Sequence, residues 1–305
     1  MKKFLLLVLF ISTVICKLTY AQSLIKYYQD NPFKMGLKDK NNTIVVPAKY
    51  DNISIKENVD LYVVQLKYKY GLIDHTGKEI IPTNYEYIGD FREGLARIRS
   101  LNYMDGYIDQ TGRVIIPMKF RDASDFSEGL ANVAIEVKQG IYDVKKYGFI
   151  DKMGNFVIQP TLQQSRSFSG GFATVGLDDK WGYIDKTGKQ IIPYIYDGAY
   201  NFYEGTAVVK INNKYGFINE QGKVIIPLKY DYANSFSEGL AAVNSGAEPA
   251  FSGLPQRGKW GFIDKNGKTI LSFKYDSANS FYKGKAEVQA NGRKFFIDKN
   301  GNEVR

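Results

Sequence analysis

The sequence predicts an all-β chain of tandem repeats, and three observations carry that prediction. Strand-favouring aromatics are abundant, with 23 Tyr and 19 Phe; 29 Gly supply turns. One short motif also returns about every 35 residues along the chain. At 44% apolar and 24% charged, the 305 residues have a globular composition and not a disordered one.

The first segment reads differently from the rest. Lys2 and Lys3 precede an apolar run from Phe4 to Ile15, and Thr19-Tyr20-Ala21 ends on a small residue. This is the order of a secretory signal, expected to be cut after Ala21, and the run is too short to span a bilayer. The expectation is therefore a signal over 1–21, a lead-in over 22–34, and a chain that is secreted, periplasmic or at the cell surface, without a membrane span. A lipoprotein anchored through Cys16 is the weaker alternative, because Thr13, Val14 and Ile15 lack the small residue expected next to that cysteine. Cys16 is the only cysteine, so a processed chain would have neither disulfides nor a thiol nucleophile. Loss of Lys2, Lys3 and Lys17 would take the formal charge from +9 to +6, an ordinary basic surface for a chain of this length.

The repeats fill 35–305. Tyr215-Gly216-Phe217-Ile218 is followed by Gln221-Gly222-Lys223 and then Val224-Ile225-Ile226-Pro227. The same order recurs at Tyr70-Gly71, Gly106-Tyr107, Tyr147-Gly148, Trp181-Gly182 and Trp260-Gly261, with a degenerate first copy at Met35-Gly36-Leu37. A truncated last hairpin starts at Phe295. The motif glycines at 36, 71, 106, 148, 182, 216 and 261 lie 34 or 35 residues apart, except for steps of 42 (106 to 148) and 45 (216 to 261). The extra residues fall at one kind of junction, about Glu136 to Lys145 and Asn244 to Gly258, so these loops are expected on one edge of the array.

Each unit reads as about three short strands: Leu-Ala-x-Val, Tyr-Gly-Phe-Ile and Val-Ile-Ile-Pro. The last two are joined by Asp-x-x-Gly-Lys, a hairpin turn in which the Asp accepts backbone N–H bonds and the Gly takes the left-handed position. The glycine inside the middle strand implies close approach of a neighbouring backbone or ring, and Pro227 with its equivalents is expected to end the last strand. The series Phe91, Phe126, Phe168, Phe202, Phe236 and Phe281 recurs between turn signals as a packing layer would.

These Trp-Gly and Tyr-Gly units resemble the bacterial WG-containing repeats, from about Met35 to the C-terminus. Only Trp181 and Trp260 keep the tryptophan, and the copy at Gly106 has Asp105 in the aromatic position. The resemblance implies a β-rich repeat architecture and frequent export, and implies no particular ligand or reaction. Stacked three-stranded units point to an open, solenoid-like array. A closed β-propeller is the alternative, although its usual four-stranded blade needs a period above about 40 residues.

No catalytic set stands out, and no metal or cofactor is expected. His75, the only histidine, lies in the turn Asp74-His75-Thr76-Gly77, where the other copies carry Gln110, Lys152, Lys186, Glu220, Lys265 or Lys299. Asp74, Asp109, Asp151, Asp185, Asp264 and Asp298 occur singly in turns, unlike the dense acids of a calcium loop. Glu93, Glu128, Glu204 and Glu238 precede turn glycines and read as turn residues too, without the unlike environments that a glycosidase pair needs. The expected role is binding or scaffolding, with an envelope or host protein as partner and no nucleic acid. Tyr70, Tyr147, Trp181, Tyr215 and Trp260 are the candidate ligand-binding residues. If exposed, they would form a Trp/Tyr ladder on which a cell-wall polysaccharide stacks, and if buried, they would be stacking between repeats.

Overall fold

Alternating apolar strands punctuated by Gly turns can satisfy their backbone only by pairing, and the chain does so in small antiparallel sheets. The computed structural model describes residues 24–30, 33–55, 61–246 and 258–305. The expected signal over 1–21, with Cys16, and most of the second insert lie outside the described residues. Every helix or strand among the described residues is a strand. The chain divides into two units, Met1–Phe120 and Arg121–Arg305.

The first unit holds three sheets. The first comprises Ile25–Asp30, Phe33–Lys38 and Ile44–Tyr50, so the lead-in contributes a strand. The second comprises Asn52–Ile55, Leu61–Leu66, Lys69–Asp74 and Glu79–Tyr85; the third, Tyr87–Arg92, Leu95–Arg99, Asp105–Asp109 and Val114–Phe120. The second unit holds five. The fourth sheet is Asp122–Ala123, Ala131–Gln139, Tyr142–Ile150 and Phe156–Leu162; the fifth, Gln164–Ser165, Phe172–Leu177, Lys180–Asp185 and Gln190–Tyr196. The sixth is Gly198–Tyr203, Thr206–Ile211, Lys214–Asn219 and Val224–Tyr230; the seventh, Tyr232–Ala233, Ala241–Ser245, Lys259–Ile263 and Thr269–Tyr275. The eighth is Ser277–Ala278, Ala286–Ala290, Arg293–Ile297 and Glu303–Val304.

The tandem β-repeat stands, with one strand more per unit than the motif suggests. A short first strand precedes the three expected ones in each sheet after the first, and all four pair in chain order. It is as short as two residues, with a single buried alanine such as Ala123, Ala233 or Ala278, so no alternation announces it. Pro227 does not end its strand. Val224–Tyr230 runs three residues past it through a bulge, where Phe217 pairs with Ile226 but Tyr215 pairs with Tyr230. Proline is tolerated because this is an edge strand and its missing N–H faces no partner. The bulge also explains the motif glycine: a Cβ on Gly216 would lie 2.6 Å from the Ile226 carbonyl oxygen and 2.8 Å from the Leu228 nitrogen.

Within each unit, consecutive sheets pack face to face, and the core sits between them. Between the fifth and sixth, Tyr183, Ile192 and Tyr196 meet Ala199, Phe202, Ala207 and Val209. Between the seventh and eighth, Phe262, Leu271 and Tyr275 meet Ala278, Phe281, Ala286 and Val288. Covered on both faces, inner strands such as Thr206–Ile211 are buried at four consecutive residues. The phenylalanine series is the packing layer in the second unit. Phe168, Phe202, Phe236 and Phe281 each meet the ring of the preceding sheet 19 residues back (Phe149, Tyr183, Phe217, Phe262), with centroids 4.7–5.0 Å apart.

Polar side chains tie the same junctions. Lys180 reaches Asp197, Lys214 reaches Asp231 and Lys259 reaches Asp276, each at 2.5 Å and each 17 residues on. On the opposite ends of the strands, Glu128 accepts a hydrogen bond from the Gly171 amide at 3.0 Å and pairs with Lys186 at 3.1 Å. Glu204 does the same with Gly239 and Lys265, and Glu238 with Gly284 and Lys299. These glutamates are more than turn residues: they fasten one repeat to the next.

Candidate functional site

The turn acids are engaged by backbone through Oδ1. Asp74 Oδ1 accepts from the Thr76 and Lys78 amides at 2.9 and 3.0 Å, and Asp109, Asp151, Asp185, Asp264 and Asp298 repeat the arrangement. The Thr111 and Thr187 hydroxyls add bonds of 2.6 Å that hold the Asp109 and Asp185 carboxyls below the usual aspartate value. His75 is exposed on such a turn.

The candidate rings all lie on the third strand of their sheets, near its start except for Tyr147 in the longer Tyr142–Ile150, and each is directly across from a second-strand residue. Tyr70, Tyr147, Trp181 and Trp260 are partly buried, whereas Tyr215 is buried. Tyr70 belongs to the first unit, where it packs on the core between the second and third sheets. In the third sheet Asp105 takes the ring's place, fully buried, and two Arg99 nitrogens hold it at 2.8 Å with Arg97 at 3.3 Å. A charge in that position is tolerated because it is paired and hydrogen-bonded.

Three of the five rings join one continuous row in the second unit, through residues the motif does not single out. Arg166 lies 4.8 Å over Trp181 and 5.8 Å over Tyr200, pinned by its bond to the Ala199 carbonyl at 3.0 Å. Tyr200 lies 6.3 Å from Tyr215, Tyr215 4.9 Å from Tyr232, and Tyr232 5.7 Å from Trp260. Burial, and then hydrogen bonding with Tyr200, pushes the Tyr215 phenol well up from its usual value. Arg166, Tyr200 and Tyr232 stand on or beside the short first strand, which is why the motif alone does not place them.

The row is not a uniform platform. Arg166 covers Trp181, Tyr215 is enclosed, and neighbouring rings meet at tilted angles of 34–59°. Beneath each ring the opposing second-strand residue differs: Gln65 under Tyr70, Ala134 under Tyr147, Gly176 under Trp181, Lys210 under Tyr215 and Asn244 under Trp260.

Several of the most exposed apolar groups stand at the hairpins between second and third strands, while others, such as Met153 and Tyr282, lie elsewhere on the surface. Tyr68 is 88% exposed, Ile141 90% and Tyr142 70%, with Leu101 and Tyr103 on the corresponding turn of the third sheet. The first insert becomes a longer hairpin, Ala131–Gln139 paired with Tyr142–Ile150, and the second falls at the same junction of the seventh sheet.

The family model for the WG containing repeat matches residues 35–70, 70–102, 106–136, 147–181, 181–215, 215–246 and 260–293. No curated protein matches the chain. Among solved structures, the chain is similar to a eukaryotic initiation factor at 11% identity and TM-score 0.47, over 92% of this chain and 94% of that one. It is similar to BamB from Moraxella catarrhalis at 11% identity and TM-score 0.44, over 84% and 87%. A third likeness is to Kluyveromyces lactis Hsv2 at 10% identity and TM-score 0.40, over 81% and 89%.

Proposed function

The chain belongs to the WG-containing repeat family, and we propose that it is an exported binding or scaffolding protein that performs no reaction of its own. The observation that carries this reading is the exposure of Tyr68, Tyr103, Ile141 and Tyr142 on hairpin tips that the repeat core does not need. Large apolar side chains held out on rigid hairpins are the usual anchors of a protein interface. The first insert lengthens the hairpin that carries Ile141 and Tyr142, which favours recognition over packing. The repeated carboxylates are occupied by turn amides and inter-sheet lysines, which supports binding rather than acid–base work. Export is argued from Lys2, Lys3, the apolar run and Ala21, and it directs the partner search to an envelope or host protein.

The test is affinity capture from envelope and host extracts with the mature chain and with an Ile141→Asp, Tyr142→Asp double variant. A partner retained by the first and lost by the second, with the thermal midpoint unchanged, supports the reading. Equal capture by both would sink it. N-terminal sequencing of the secreted chain checks export, with Gln22 as the expected first residue. The second reading, a polysaccharide on the Trp/Tyr row, is favoured by observation only at the seventh sheet.

A further inference from the structure

Asn244 sits in the strand Ala241–Ser245, directly opposite Tyr232 on one side and Trp260 on the other. Directly opposed residues project from the same face of a sheet, so the amide lies between the two rings. Strands two apart are about 10 Å from one another, yet the ring centroids are 5.7 Å apart. The rings therefore lean together over the amide, which is 1% exposed. Neither its oxygen nor its nitrogen has a hydrogen-bond partner.

A buried amide with both ends unsatisfied works against folding and needs a reason. The fold does not supply one, because the same position beneath the ring holds Ala134 in the fourth sheet and Gly176 in the fifth. An apolar or absent side chain is structurally sufficient there.

We propose that Asn244, Tyr232 and Trp260 form a binding site for a neutral pyranose of a glycan chain. The amide offers an acceptor and a donor side by side, which matches two vicinal hydroxyls, one donating to Oδ1 and one accepting from Nδ2. The apolar C–H face of the sugar ring stacks on the Trp260 indole, which is only partly buried, once the two rings part. A neutral ligand fits better than an anionic one, because the flanking cations Lys214 and Lys259 are already held by Asp231 and Asp276 at 2.5 Å. The site stands apart from the hairpin tips, so the two proposals fail separately.

The chain has two tryptophans, and Trp181→Phe leaves Trp260 as the single indole reporter. In that background the full chain is titrated with cellohexaose, maltohexaose and the hexamer of N-acetylglucosamine, following Trp260 emission. The expected result is a saturable emission change with at least one glycan. Adding Asn244→Ala is expected to weaken that binding tenfold or more while the thermal midpoint stays or rises. No emission change with any of the three overturns the site. So does unchanged affinity in Asn244→Ala, and so does a lowered midpoint, which would make the amide a structural residue after all.

Discussion

Single residues show how tightly the repeat constrains itself. A Cβ at Gly182 would lie 2.4 Å from the Ile192 carbonyl oxygen. Gly182→Ala should therefore force the bulge apart and cost about 3 kcal/mol or more, read from denaturant unfolding. Asn244→Ala should move stability the other way, by about 1 kcal/mol, because it removes an unsatisfied amide. The turn aspartates set the acid limit. Asp109 and Asp185, with carboxyls held low first by the Thr111 and Thr187 hydroxyls, stabilise the fold fully above the ordinary value of 3.8. That contribution is lost as pH falls below 3.8 through the lower folded values. Unfolding midpoints measured from pH 6 to pH 2 should fall in that acid window, and less steeply in Thr111→Val with Thr187→Val.

At the scale of strands and turns, the links between sheets matter more than the composition of any one sheet. Glu128 joins its own turn to the Gly171 amide and to Lys186, at a partly exposed position. Glu128→Ala should cost about 1 kcal/mol in chemical denaturation, most of it from the amide bond rather than the screened ion pair. Much of this level was legible in the sequence: the motif glycine, the Asp-x-x-Gly turns, the phenylalanine layer and the single junction for both inserts. The first strand was not, because two residues with one buried alanine carry no periodicity. Proline misled for a related reason, since a bulge on an edge strand looks the same in sequence as a strand end. Asn244 was hidden at the start of the 244–258 insert, and only pairing with Tyr232 and Trp260 shows it to be strand. Of the candidate rings, sequence placed all five at equivalent positions. Which of them touch depended on Arg166, Tyr200 and Tyr232, whose segments follow the motif loosely.

Across the whole molecule, stability is shared between neighbours rather than concentrated in one core. Each core draws residues from one sheet and from the next, as Phe262, Leu271 and Tyr275 pack with Ala278, Phe281 and Val288. Deleting 277–305 should therefore uncover a defined apolar face, raise binding of a hydrophobic dye, and lower the unfolding midpoint of the second unit. The regular offsets have a further consequence in the gene. The Lys180–Asp197, Lys214–Asp231 and Lys259–Asp276 ties, and the ring pairs of the phenylalanine layer, all run from one copy into the next at constant offsets. Recombination that duplicates or drops a complete copy leaves every lysine with an aspartate and every ring with its neighbour. A slip of a few codons between the two partners of a tie breaks that joint, whereas the hairpin between second and third strands, the junction of both inserts, lies outside these ties. The array can thus lengthen and shorten by unequal crossing-over while its joints stay intact, and it can vary its surface at the one junction where insertions leave these ties untouched.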